Sequence, residues 1–143
     1  MSAFSPIPKV PATNFIDVSA TFWARAAILK ANQAGFLAGL PGLKFRPDQN
    51  LTRVEAIVSL VNGLQLTGGN LSSLNVYSDR TQIPYYADGP VATATDMNMV
   101  VNHPVRTRLL PLLSITRAEI SALIYQTLVA TNRAKPISSQ YIV

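Results

Sequence analysis

Two short stretches of this 143-residue sequence repeat side chains that could do chemistry. Residues 51–55 read LTRVE and residues 115–119 read ITRAE. The guanidinium groups of Arg53 and Arg117 offer planar pairs of donors that suit a carboxylate, so both are candidates for holding an anionic ligand; a solvated arginine, or one paired with a loop aspartate, is the alternative. Glu55 and Glu119 resemble an acid–base pair, but their spacing from the preceding threonines is that of a helix capping box, which already explains them.

The sequence offers no set of residues typical of an enzyme. It contains no cysteine and a single histidine, His103, which excludes thiol catalysis and leaves no second imidazole for a metal site. No nucleophile elbow, phosphate-binding loop or HExxH helix is present. We therefore predict a non-catalytic protein with no catalytic residue, no metal and no cofactor.

A longer self-similarity surrounds the two stretches, which predicts two copies of one unit. The matching pairs are Asp17 and Asp79, Trp23 and Tyr86, and Thr52 and Thr116. Gly35 and Gly39 of the first copy correspond to Asn98 and Asn102 of the second. Glycine and asparagine are the residues that most readily adopt the left-handed conformation that ends a helix, so the exchange preserves a backbone requirement.

Each copy is predicted to form two helices around a long loop, so the expected fold is all-α: two helix–long loop–helix repeats packed as a small pseudo-symmetric bundle. The first helices are predicted over about 22–34 and 85–97, the latter weakened at its start by Gly89-Pro90. Behind each capping box, aliphatic residues follow the three-and-four spacing of one buried helical face. These residues are Val54, Ile57, Val58, Val61 and Leu64, and then Ile120, Leu123, Ile124 and Leu128.

These patterns divide the chain into five parts. A proline-rich arm covers residues 1–14, the first repeat 15–67, a linker with a flexible Gly68-Gly69 joint 68–76, the second repeat 77–131, and a tail 132–143. The tail ends in apolar residues that pack either on this chain or on a partner.

Composition and charge narrow the functional classes. Hydrophobic residues make up 48% of the chain and charged residues 13%, which is typical of a folded globular protein. The net charge of +5 favours an acidic partner, but the basic residues are spread along the chain, so nucleic acid is not expected. No apolar run is long enough for a transmembrane segment. The start of the sequence shows no secretory signal, which predicts a cytoplasmic protein; an export signal missing from the sequence would instead place it in the cell envelope.

The motifs together resemble the S-layer homology repeat. They are FxDV at 15–18, WA at 23–24, Gly35 and Gly39, FxP at 45–47 and LTRVE at 51–55, with ITRAE at 115–119 in the second copy. The resemblance covers about 14–130, and the closing stretch is similar to the carboxyl ends of cyanobacterial members. It implies an all-helical fold, normally with three repeats, and binding of pyruvylated polysaccharide attached to the cell wall.

The resemblance also implies a set of binding residues. A pocket built from the loop aspartate, the tryptophan, a helix-end glycine and the motif arginine would use Asp17, Trp23, Gly35, Gly39, Arg53, Asp79, Tyr86 and Arg117. The residue types alone allow structural roles instead. A loop aspartate can accept backbone N–H groups in a turn, a single tryptophan often anchors a core, and glycines end helices.

Two functions are consistent with these observations. The first is a basic adaptor or linker that binds acidic protein surfaces in a multi-subunit assembly, for which a cyanobacterial light-harvesting antenna, the phycobilisome, is one example. The second is a cell-envelope anchor that binds anionic, pyruvylated wall polysaccharide.

Overall fold

The computed structural model describes residues 4, 5 and 7–143, and these form an all-α protein, as predicted. Four α-helices cover Arg25–Gln33 (α1), Arg53–Gly63 (α2), Asp88–Asp96 (α3) and Arg117–Ala130 (α4). Three short 3-10 helices, Leu71–Val76, Arg80–Gln82 and Tyr85–Ala87, connect α2 to α3. Extended pairing within the described residues is limited to isolated β-bridges. None of the described helices combines the length and the apolar character needed to cross a membrane.

The starts of α2 and α4 confirm the predicted capping boxes. The Thr52 hydroxyl accepts from the Glu55 N–H at 3.3 Å, and the Glu55 carboxylate accepts from the Thr52 N–H at 2.8 Å. Thr116 and Glu119 make the same pair of bonds at 3.2 and 2.8 Å. Each box satisfies N–H groups that the first helical turn leaves without partners. The threonines therefore determine where each helix starts and where the next residue, an arginine, is placed.

The first helix of each predicted repeat starts later than expected. Turns occupy the residues before Arg25 in the first, and the 3-10 helix Tyr85–Ala87 precedes α3 in the second. Pro90 is the third residue of α3, within the first turn, where a backbone N–H has no helical acceptor. Proline is therefore compatible with this position, and Gly89-Pro90 lies at the beginning of the helix.

The glycine and asparagine pairs have different roles. Gly35 (φ 81°) and Asn98 (φ 54°) adopt the left-handed conformation after α1 and α3, as predicted. The prediction is wrong for Gly39 and Asn102, neither of which has a positive φ. A β-carbon on Gly39 would lie 2.4 Å from the Phe15 ring, so close packing, and not the backbone angle, requires glycine there.

Two clusters of buried apolar side chains hold the elements together. The larger cluster lies among α2, α3, α4 and the 3-10 helix Leu71–Val76, and it includes the fully buried Leu74 and Leu109. On the predicted apolar faces, Val54, Ile57, Val61 and Leu123 are buried, whereas Val58, Leu64, Ile120, Ile124 and Leu128 are half-buried. The smaller cluster consists of Phe15, Val18 and Ile28. The main core thus combines residues 54–61 of the first predicted repeat with Leu74 of the predicted linker and with residues of the second predicted repeat. It therefore packs the two predicted repeats against each other.

The Gly68-Gly69 pair brings two backbone segments close together. The Gly69 N–H donates to the Thr93 hydroxyl of α3 at 3.2 Å. A β-carbon on Gly69 would lie 2.1 Å from the Thr93 nitrogen, whereas one on Gly68 would meet nothing within 4 Å. Gly68 has a φ of 97°, so glycine is required there by the backbone conformation. At position 69, glycine is required because the backbone of α3 lies so close.

Both ends of the described chain pack on the chain itself. Residues 1–3 and 6 of the predicted arm 1–14 lie outside the described residues. In the rest of the arm, Lys9 Nζ donates to the Gly63 carbonyl at 2.7 Å. In the tail, Val101 and Ile142 form an antiparallel β-bridge and Val143 is buried. The apolar end of the tail therefore packs on this chain.

Candidate functional site

Each of the two loop aspartates holds a backbone turn. Asp17 accepts hydrogen bonds from the N–H groups of residues 45–46, at 2.8 and 2.7 Å. Asp79 accepts from the N–H groups of residues 109–110, at 3.0 and 2.8 Å. Loss of hydration raises the pKa of Asp17, but the hydrogen bonds from these N–H groups together outweigh it and hold the pKa below its usual value of 3.8. Both side chains thus act as turn acceptors, the structural alternative to sugar binding.

Arg53 is buried, with 6% of its surface exposed. Its Nε donates to the Leu109 carbonyl at 2.6 Å and its Nη2 to the Asn102 side-chain oxygen at 2.7 Å. Its Nη1 lies 2.6 Å from Glu119 Oε1. Its backbone N–H donates to the Leu113 carbonyl at 2.9 Å. The guanidinium is therefore used inside the protein, where it joins α2 to the loop before α4.

Arg117 has the same place in α4 but the opposite environment. It is exposed, and no described residue accepts a hydrogen bond from its guanidinium. The backbone N–H groups of residues 53–54 donate to carbonyls at 113 and 111, but those of residues 117–118 have no such partner in the described part of the chain. One motif arginine is therefore structural and the other is open to solvent.

Glu119 links the capping box of α4 to Arg53. Partial burial raises the pKa of Glu119, but the hydrogen bonds from the N–H and hydroxyl of Thr116, together with the Arg53 guanidinium, outweigh burial and hold the pKa below its usual value of 4.5. A carboxyl group with a lowered folded-state pKa stabilises the fold above its unfolded pKa, and this stabilisation disappears as the pH falls through the folded-state value.

We expect the free energy of unfolding to decrease as the pH falls from about 5 towards 3, and part of this decrease to be absent in Glu119→Gln. Urea unfolding followed by circular dichroism at several pH values measures both slopes. Glu55→Gln is the matched control, because Glu55 closes the same kind of capping box without an arginine partner. Equal acid slopes in the wild type and in Glu119→Gln would contradict the expectation.

A cleft of about 530 Å³ opens beside α2. It is lined by the loop residues 35–40, 45–47 and 49–51, by one face of α2 and by Tyr86. Arg46 and Glu55 are the charged residues among the described lining, and Gln49, Asn50 and Asn62 contribute amide groups. An aromatic ring, several amides and a cation in one concave site can bind a polar, partly anionic ligand such as a sugar.

The cleft brings together only part of the predicted binding set. Gly35, Gly39 and Tyr86 line it, and Asp17 holds the turn at 45–46 that also lines it. Trp23 is 89% exposed and does not line the cleft, so a core-anchor role for this tryptophan is wrong. The others, Arg53, Asp79 and Arg117, lie outside the cleft lining.

Two roles were not predicted from the sequence: that of Arg46 in the cleft and that of Glu119 as the partner of Arg53. Arg46 was one of many scattered basic residues. Residues 45–47 (FRP) correspond to residues 109–111 (LLP) of the second copy, so the available signal was that an uncharged leucine stands at position 110. Glu119 was explained by its capping box, which gives no hint of its bond to Arg53. That contact joins residues 66 positions apart, and no local pattern reports such a pair.

Comparison with known proteins finds similarity to a recognised family in the first part of the chain. Residues 15–57 match the family model described as the S-layer homology domain. The chain is 29% identical over 118 residues to the Surface-layer 125 kDa protein of Lysinibacillus sphaericus, covering 80% of this chain and 10% of that protein. It is 33% identical over 98 residues to the Cellulosome-anchoring protein of Acetivibrio thermocellus, covering 66% and 21% respectively. The chain thus spans about a tenth of the length of the first relative and about a fifth of the second. Together the matches support a protein that contains an S-layer homology domain.

Proposed function

We propose that this chain is a non-catalytic anchoring module of the cell envelope that binds an anionic, pyruvylated wall polysaccharide in the cleft beside α2. The cleft is the observation that carries the proposal. Most of its lining belongs to residues 15–57, which match the S-layer homology domain, and it gathers Gly35 and Gly39 of that stretch with polar side chains and with the exposed ring of Tyr86 from outside it. The apolar C–H face of a sugar ring can pack against such an aromatic face while the sugar hydroxyls bond to the amides.

We also propose that the module consists of two copies of one unit, residues 15–67 and 77–131, joined by 68–76. Three matched features support this division: the turn-holding aspartates Asp17 and Asp79, the two capping boxes, and the left-handed Gly35 and Asn98. Each pair occurs in the same order along the chain and performs the same local role. The cyanobacterial character of the closing stretch is part of the same proposal.

The adaptor function has less support than the anchor. The names of the two relatives refer to a surface layer and to cellulosome anchoring, and neither refers to a light-harvesting assembly or to an acidic protein partner. The cleft is concave, and its described lining combines mostly apolar side chains with a few polar ones, which is typical of a small-ligand site and not of a flat protein-binding surface. We therefore favour the wall polysaccharide over the protein assembly.

We expect Tyr86→Ala to weaken binding to purified wall polysaccharide by about fivefold, the effect of losing about 1 kcal/mol of aromatic packing. Co-sedimentation with wall sacculi and calorimetry with the released polysaccharide measure the loss. Tyr85→Ala is the matched control, because Tyr85 is the neighbouring tyrosine, is 92% exposed and does not line the cleft.

Three results would count against this function. The first is that the wild type does not bind intact sacculi, which still carry the polysaccharide. The second is that it binds sacculi equally well after the polysaccharide has been removed. The third is that Tyr85→Ala weakens binding as much as Tyr86→Ala, which would detach the binding surface from the cleft.

A further inference from the structure

The cleft contains one cation among its described lining residues, and it is Arg46. The guanidinium of Arg46 is exposed, and its hydrogen bond within the described chain is a long one of 3.4 Å to Gln49 Oε1. A guanidinium has five N–H donors, so most of the donors of Arg46 remain available to a ligand. Arg53, the motif arginine of the same segment, has its donors engaged inside the protein.

The backbone at Arg46 is held in place independently of its side chain. Arg46 has a φ of 58°, a conformation that is uncommon for residues with a β-carbon. Asp17 accepts from the N–H of Arg46 at 2.7 Å and from the preceding N–H, which fixes the turn. Asp17 is therefore a positioning residue for Arg46.

The second segment shows that this turn does not need a charge. Leu110 has a φ of 51°, and Asp79 accepts from its N–H at 2.8 Å, so an uncharged side chain makes the same turn. In that segment the guanidinium of Arg53 already bonds to the neighbouring carbonyl of Leu109. The positive charge at position 46 is therefore not explained by the turn, and Arg46 lines the open cleft.

We propose that Arg46 recognises a carboxylate of the saccharide bound in the cleft, with Tyr86 packing against the sugar ring. This inference rests on the proposed wall-binding function and names the residue that would give it charge selectivity. Arg46 would donate paired N–H groups to the carboxylate, the geometry that makes guanidinium–carboxylate contacts strong. Glu55, the other charged lining residue, has one carboxylate oxygen engaged by Thr52, and its second oxygen can accept from a sugar hydroxyl.

The test crosses variants with chemically altered ligands. The variants are Arg46→Leu, which installs the residue found at position 110, and the control Arg108→Leu, an exposed arginine that does not line the cleft. The ligands are the intact wall polysaccharide, the same material after mild acid removal of pyruvyl ketals, and the same material after chemical reduction of uronic acid carboxyls. Calorimetry gives the affinity of each pair.

We expect the wild type and Arg108→Leu to lose about 10- to 100-fold in affinity when the recognised carboxylate is removed. Arg46→Leu should bind the intact polysaccharide about as weakly as the wild type binds the altered one, and it should no longer distinguish the two. The treatment that lowers the affinity of the wild type identifies the recognised carboxylate as that of a pyruvyl ketal or of a uronic acid. The unfolding temperature of Arg46→Leu should match that of the wild type, since leucine makes the same turn at position 110.

The two proposals fail in different ways. If Arg46→Leu still distinguishes intact from altered polysaccharide as the wild type does, Arg46 is not the recognising residue, and the wall-binding function stands. A wild type that binds polysaccharide with no preference for its carboxylates would likewise overturn the role of Arg46 and leave wall binding in place. If the wild type binds no form of the polysaccharide, both proposals are overturned.

Discussion

Replacing Arg53 with methionine is expected to lower the free energy of unfolding by about 3 kcal/mol. The substitution leaves the carboxylate of Glu119 without its cation and removes the donors that satisfy the Leu109 carbonyl and the buried Asn102 side chain. Buried acceptors that lose their donors retain the cost of leaving water, which makes removal of one partner more harmful than replacement of both. Urea unfolding at pH 7 measures the loss.

Arg117→Met provides the matched control for this prediction. Arg117 has the same residue type, the same position after a capping threonine and an exposed side chain without a described acceptor. Its replacement should change stability by less than about 0.5 kcal/mol, as for most surface substitutions. A similar loss in both variants would mean that the arginine matters for helix formation alone and not for the contacts of Arg53.

Gly69→Ala is expected to destabilise the protein by about 3 kcal/mol, at the upper end of what overpacking costs. The new β-carbon would lie 2.1 Å from the backbone nitrogen of Thr93, and backbone atoms in a helix cannot move aside as the end of a flexible side chain can. The stretch of chain at 69 must therefore separate from α3, which also weakens the hydrogen bond to the Thr93 hydroxyl. Thermal and urea unfolding both report the change.

Gly89→Ala is the control for the same chemical change in open space. Gly89 lies in α3, and nothing would lie within 4 Å of an added β-carbon. Alanine restricts the unfolded chain more than glycine does, so this variant should gain up to about 1 kcal/mol. If Gly69→Ala were as stable as Gly89→Ala, the close approach of residue 69 to α3 would not exist in solution.

Local patterns predicted most of the secondary structure. Thr52 and Thr116 mark the helix starts because a capping box is formed by residues three positions apart and needs no tertiary contact. The left-handed residues Gly35 and Asn98 were predictable for the same reason. The role of Gly39 was not predictable, because the sequence does not distinguish a glycine required by close packing, here against Phe15, from a glycine that ends a helix.

The roles of the candidate binding residues were harder to predict because they depend on distant partners. Arg53 and Arg117 occur in nearly identical pentapeptides, yet one is buried and the other exposed. The difference arises because residues 109–119 lie against the start of α2, whereas no described segment lies in the same way against the start of α4. Nearly identical local sequence therefore gave no means of separating a structural arginine from a solvent-facing one.

The hydrogen bonds at the start of α2 have a consequence for cooperativity. The N–H groups of residues 53 and 54 would be the free donors of an isolated helix, but here they bond to carbonyls at 113 and 111. The first turn of α2 is thus completed by chain from the other half of the protein, and the shared core adds to this dependence. Neither half can open without breaking hydrogen bonds and core contacts of the other, so we expect the chain to unfold as a single unit and, when pulled from its ends, to yield all at once and not one half at a time.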